Sequence, residues 1–238
     1  MKFAKWEYNR YMNVLARKMY SFIRFYISRI SKKDPSKPFV FVGIGDSTVE
    51  GVGATHPSRS YTGILFSIIK ENFPKAEYHN FGKFGASSGD VIAEQLDQAI
   101  KLKPDLVTLS VGPNDINKKI LPKTFGANLR LIIERLQKET GAKIVINNIP
   151  DFSRSSAISL THRNISKLVL SRYNNVIEKA SSESDVFFID LYTHSRVYAK
   201  HYPELLSEDK FHPSDFGYAL WANTILTAIS NHIFPKGS

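Results

Sequence analysis

The sequence predicts a doubly wound α/β fold built on a parallel sheet of five strands. Three features carry that expectation. Short apolar runs alternate with longer helical patterns along most of the chain, which is the signature of βα units. The run from Phe39 to Ile44 is apolar, β-branched and aromatic, as in a strand buried on both faces, and it stops abruptly at Gly45-Asp46-Ser47. Polar, mostly glycine-bearing segments follow the strands, where open α/β sheets place their ligands.

Strand one is expected at about 38–46, after a hinge at 31–38 with two prolines and three lysines. A helix at about 60–73 ends at Pro74, and strand two follows at about 76–82. Ser87-Ser88-Gly89-Asp90 resembles a capping box and opens a helix to about 101. Strand three spans about 105–111. A helix at about 124–139 stops near Gly141, and strand four is 143–149. A long helix at about 163–182 precedes strand five at 186–191. The last helix starts near Pro213, consistent with proline in a first turn, and runs to about 231.

Composition narrows the function classes. The 238 residues are 42% hydrophobic and contain no cysteine, so a sizeable core is available, whereas disulfides, thiolate metal sites and a cysteine nucleophile are excluded. The net charge is +10, but residues 1–33 hold nine Lys or Arg against one acid, Glu7, and so account for +8 of it. The remaining body is nearly neutral, which argues against nucleic acid as its partner. Within the arm, Tyr8, Met12, Leu15, Met19, Phe22, Tyr26 and Ile30 share one helical face, opposite Arg10, Arg17 and Arg24. A basic amphipathic helix of this kind suits an anionic membrane surface; packing on its own domain or on a second copy, and a transit peptide, are alternatives. No cleavable signal peptide is recognised, since Arg24 interrupts the apolar stretch, and the location expected is cytoplasmic or peripheral at a membrane. The simplest division is an arm at 1–33 and one domain at 34–238.

Four polar blocks stand beyond strand ends: Gly45-Asp46-Ser47, Asn80 to Gly85, Gly112-Pro113-Asn114-Asp115, and Asp209-Lys210-Phe211-His212-Pro213. In a parallel sheet those ends share one rim, so the blocks converge. The chemistry they offer is nucleophilic catalysis. Ser47 needs a base, and His212 is the best placed of seven histidines, with Asp209 three residues earlier to fix its tautomer. The N–H groups of Ser47 and Gly85 and the Asn114 amide are candidate oxyanion donors. His56, His79, His162, His194, His201 and His232 have no such setting. No metal-ligand spacing occurs, and no cofactor is expected.

These blocks resemble the SGNH family, also called GDSL esterases/lipases. Gly45-Asp46-Ser47, Gly85, Gly112-x-Asn114-Asp115 and Asp209-x-x-His212 match its first, second, third and fifth blocks in order, over roughly 38–231. The resemblance implies a three-layer α/β/α flavodoxin-like fold and ester hydrolysis through a serine acyl-enzyme. It implies Ser47 as nucleophile, His212 as base and Asp209 as its orienter, with Ser47, Gly85 and Asn114 in the oxyanion hole. Thr48 departs from the leucine in the family name but stands outside the catalytic roles.

Two other motifs compete. Gly85-Ala86-Ser87-Ser88-Gly89 fits the G-x-S-x-G nucleophile elbow, which would make Ser87 the nucleophile, although helix capping explains it better. Gly43 to Thr48 lacks the third glycine of a dinucleotide loop. For function, a lipid or lysophospholipid ester is favoured by a membrane-facing arm, and a carbohydrate O-acetyl ester is the main competitor. Acyl transfer and a membrane-binding protein with a vestigial site are further alternatives. Residues 51–60, 151–161 (with Phe152, Ile158 and Leu160) and 192–206 are expected to border the pocket.

Overall fold

The computed structural model describes residues 36–151, 163–198 and 203–233. The arm expected at 1–33 lies outside the described residues, as do Phe152, Ile158 and Leu160.

Five strands form one sheet: β1 (Val40–Gly45), β2 (Glu77–Asn80), β3 (Leu106–Ser110), β4 (Lys143–Asn147) and β5 (Phe187–Ile189). Their order is β2-β1-β3-β4-β5, and every pairing is parallel. Chain direction across the sheet reverses at β1 and β3, and the carboxyl ends of these two strands frame the crevice of such a fold.

The period-two alternation of the strands explains the layers. Val42 and Ile44 of β1, Val107 and Leu109 of β3, and Ile144 and Ile146 of β4 face one side. There they pack on α3 (Ser88–Asp90), α4 (Leu96–Lys101), α6 (Pro122–Thr140) and α7 (Arg163–Ser182), elements that contribute Leu96, Phe125, Leu129, Ile133 and Tyr173. Phe41, Leu106, Val145 and Ile189 face the other side, against α2 (Tyr61–Asn72) and α9 (Asp215–Ile233). Tyr61, Tyr218 and Trp221 form an aromatic cluster there, with ring centroids 5.8–6.2 Å apart. Burying each such side chain stabilises the fold by roughly 1.5–3 kcal/mol. The result is the expected three-layer α/β/α arrangement.

The expected helices are present, with ends displaced by one or two residues. α6 stops where expected: Gly141 adopts the left-handed conformation with φ +74° and donates its N–H to Gln137 O. Short elements at the rim were not foreseen, namely α1 (Ser47–Glu50), α5 (Pro113–Asn117) and α8 (Leu191–Tyr198). The helix expected at 88–101 is not uniform. Between α3 and α4, residues Val91–Gln95 form a π turn. The wider turn rotates the polar Gln95 into the protein interior, where it has a specific task at β1.

Candidate active site

The site begins with how β1 ends. Gly45 has φ +142°, and a Cβ there would lie 2.1 Å from Ser110 O, so the strand turns sharply at a position closed to any side chain. Asp46 then caps α1: its Oδ1 accepts the Thr48 N–H (2.9 Å) and the Thr48 hydroxyl (2.7 Å). Gln95 braces the same turn from behind. Its Oε1 accepts the Gly45 N–H at 2.7 Å and its Nε2 donates to Gly45 O at 2.9 Å. Its Oε1 thus pairs the Gly45 N–H, which β2, ending at Asn80, no longer reaches, and its Nε2 adds a donor to Gly45 O. Sequence inspection missed Gln95; its only trace is a polar residue among Val91, Leu96 and Ala99 on an otherwise buried stripe.

Ser47 opens α1 and is 7% exposed. Its Oγ lies 2.8 Å from His212 Nε2, and His212 Nδ1 lies 2.5 Å from Asp209 Oδ2. A carboxylate only accepts, so Nδ1 carries the proton and Nε2 is left to accept from Ser47. Asp209 Oδ1 accepts the N–H groups of Phe211 and His212 and the Ser207 hydroxyl. Burial opposes its ionisation, but these bonds and the imidazole outweigh it and hold the carboxyl well below the usual carboxylate range. Asp46 behaves oppositely: burial raises it to about 6, against the lowering by its bonds from Thr48 and by the nearby His212.

The other two blocks lock onto this pair. The Gly85 loop is tied to the elbow by Lys83 N–H to Gly45 O (3.1 Å) and by Phe84 N–H to Glu50 Oε2 (2.6 Å). Asn114 Nδ2 donates to Ala86 O at 3.0 Å, which fixes the amide beside Gly85 with its second N–H uncommitted to that bond. Asp115, fully buried, accepts from the Ser88 N–H and hydroxyl and fastens the β3 loop to the start of α3. Burial raises the Asp115 carboxyl above its ordinary value, against those bonds. The Ser47 N–H lies in the first turn of α1, where a helix leaves its amide donors without an internal acceptor. Gly85 has φ +78° and nothing within 4 Å of where a Cβ would stand, so its backbone borders open space.

Ser87 is used differently. Its N–H and its hydroxyl both reach Asp90 Oδ2, at 2.8 and 2.6 Å, as a helix cap. No imidazole contacts it among the described residues. His56 likewise caps a short turn, with Nδ1 2.8 Å from Ser58 Oγ. The loop at 51–60 is pinned to the start of α9, where Thr55 and Arg59 both bond Asp215.

Beside His212 a cavity of about 140 Å³ penetrates between the ends of β3 and β4 and the helices α8 and α9. Asp46, Thr48 and His212 line it together with Asp151, His194 and Leu206, whereas Ser47, Gly85 and Asn114 do not. Two of the expected pocket segments, 151–161 and 192–206, therefore contribute to it through their described residues, whereas 51–60 does not line it. No group of described residues is arranged to hold a metal ion.

Fold and sequence comparison together define a carboxylic ester hydrolase. The chain belongs to the GDSL-like lipase/acylhydrolase family, whose model matches residues 44–220. It is similar to an acetylxylan esterase of Geobacillus stearothermophilus, with 23% identity over 199 residues that cover 78% of this chain and 88% of that protein. Among solved structures, the acetyl xylan esterase AlAXEase superposes with a TM-score of 0.66 at 22% identity, covering 80% of this chain and 99% of that one. A lipase/acylhydrolase from Enterococcus faecalis superposes with a TM-score of 0.62 at 22% identity, covering 84% and 100%. These likenesses establish the shared fold.

Proposed function

We propose that the chain hydrolyses its ester through a serine acyl-enzyme, with Ser47 as nucleophile, His212 as general base and acid, and Asp209 as the orienter of the imidazole. The observation that carries this reading is the continuous relay Ser47 Oγ–His212 Nε2 and His212 Nδ1–Asp209 Oδ2, at 2.8 and 2.5 Å. Ser47 Oγ attacks the carbonyl carbon while its proton passes to Nε2. The oxygen that gains charge accepts from the N–H groups of Ser47 and Gly85 and from Asn114 Nδ2. Collapse breaks the bond to the alcohol oxygen, which takes the proton from Nε2. A water then repeats the sequence on the acyl-enzyme, releasing the carboxylic acid and restoring Ser47.

The test is hydrolysis of simple p-nitrophenyl esters. Ser47→Ala abolishes turnover, whereas Ser87→Ala retains it; the reverse pattern would transfer the nucleophile to Ser87 and overturn the assignment.

Two substrate classes have support. The acetylxylan esterase relatives favour a carbohydrate O-acyl ester. The basic amphipathic arm at 1–33, set before a domain at 34–238, favours a lipid ester at an anionic membrane surface. Sedimentation of the full chain with vesicles tests the arm. Transfer to an acceptor other than water needs the same residues and differs only in what attacks the acyl-enzyme.

A further inference from the structure

We propose that the cavity beside His212 is an acyl subsite and that it takes a saturated chain of about six carbons, longer than acetyl. The inference rests on the serine esterase reading above and names the acid half of its substrate.

Position is the first reason. Asp46, Thr48 and His212 edge the cavity, and Ser47 stands between the first two in sequence and 2.8 Å from the third. Ser47 does not itself line the cavity, so a chain attached to a carbonyl carbon on Ser47 Oγ enters it past His212. Gly85 borders open space, and Phe84 is 66% exposed with its ring centroid 6.0 Å from that of His212, which leaves the alcohol half of the ester toward solvent.

The wall is the second reason. Its hydrocarbon comes from Ile149, Leu206, Leu220 and Trp221. Most of the polar side chains among them are engaged within the protein, including Asp151, whose Oδ2 faces Arg196 Nε at 3.7 Å; His194 also belongs to the wall. Thr48 bonds Asp46, and Asn147 Nδ2 bonds the Ser110 hydroxyl at 3.1 Å. Ser195 donates to Tyr192 O and accepts from the Asp151 N–H, and Thr224 donates to Leu220 O. Asn147 Oδ1 is buried and has no hydrogen-bond partner. A sugar placed here would leave most of its hydroxyls facing hydrocarbon, at roughly 2–7 kcal/mol for each one left without a partner in an apolar site. A hydrocarbon chain incurs no such cost.

Size is the third reason. A dry protein cavity of about 150 Å³ accommodates benzene, six carbon atoms. The 140 Å³ here matches an alkyl chain of similar size and is far larger than an acetyl methyl group needs.

The experiment is kcat/KM of the full chain on p-nitrophenyl acetate, butanoate, hexanoate, octanoate and dodecanoate. Each methylene that enters raises kcat/KM by up to about fourfold, the equivalent of ~0.8 kcal/mol per buried CH₂, until the cavity is full. The optimum falls near hexanoate. Leu220→Trp fills the cavity and moves the optimum toward acetate while acetate cleavage persists; Leu206→Phe serves the same purpose if the first variant does not fold. In the unaltered protein, hexanoate competes with the acetyl substrate and acetate does not. An acetate optimum in wild type, or filling variants that lower every chain length by the same factor, overturns the subsite while leaving the esterase intact. Cleavage that survives Ser47→Ala, or absence of cleavage of every ester, overturns the serine esterase reading and the subsite with it.

Discussion

Asp46 stands immediately before the proposed nucleophile and carries a carboxyl raised to about 6 by burial. Its ordinary value is 3.8. Below that pH the group is protonated in both folded and unfolded chains, and its full stabilising contribution is present. As the pH rises through 4 to 6, the unfolded chain releases the proton first and the fold loses stability, by roughly 3 kcal/mol once the pH exceeds the folded value. Asp46→Asn keeps an acceptor for both Thr48 donors and removes the titration. Thermal or urea unfolding at about pH 4 and pH 7 should show wild type losing stability relative to Asp46→Asn; parallel behaviour at the two pH values would refute this. Asn114 is argued from chemistry instead. Removing the proposed oxyanion donor, Asn114→Ala, should lower kcat by about 10²–10³-fold in steady-state assays. The same variant loses the bond to Ala86 O, so a thermal melt separates a misplaced loop from a missing donor. Both residues were visible in the sequence because the motifs Gly-Asp-Ser and Gly-x-Asn-Asp are short and local. What each side chain touches was not visible, since Thr48 lies two residues away but Ala86 lies twenty-eight.

Among the elements, the interrupted helix from α3 to α4 is the informative one. The π turn aims Gln95 at Gly45, and π turns often occur where a side chain must be redirected toward a site. Gln95→Ala leaves a buried N–H and loses one of the partners of a buried C=O at the elbow, at roughly 1–3 kcal/mol for each group left unsatisfied. The expected outcome is a lower melting temperature together with a fall in kcat that exceeds any change in KM. Gln95→Glu restores the acceptor for the Gly45 N–H but not the donor, and should recover part of both. A Gln95→Ala protein that melts lower with unchanged kcat would make the clamp purely structural. Helix existence and order were legible from apolar periodicity, as α6 and α7 illustrate. The π turn was not, because one extra residue in a turn leaves the apolar pattern of Val91, Leu96 and Ala99 nearly intact.

For the whole molecule, charge is the property with consequences. The formal charge of +10 resides mainly in residues 1–33, so the proposed attraction to an anionic surface would belong to the arm and weaken with salt. If the proposed membrane role holds, the full chain should sediment with vesicles rich in anionic lipid at low ionic strength. It should remain soluble with neutral vesicles and release as salt rises past the physiological range. Charge-reversing substitutions at Arg17 and Arg24 should abolish sedimentation without altering p-nitrophenyl ester hydrolysis. Sedimentation indifferent to lipid charge and to these substitutions would remove the arm from the membrane.

By itself the sequence determined the alternation of strands and helices and the five-stranded sheet, and it singled out Ser47, Asp209 and His212 as the candidate catalytic residues. It could do so because buried strands, turns and catalytic blocks are local patterns fixed by side-chain period and backbone sterics. The tertiary structure decided the rest. It set Ser47 Oγ against His212 Nε2 across 165 residues, committed Ser87 to Asp90, brought Gln95 onto Gly45 and opened a cavity beside the imidazole. Each of these depends on distances between segments remote in the chain, which packing fixes and no local pattern encodes.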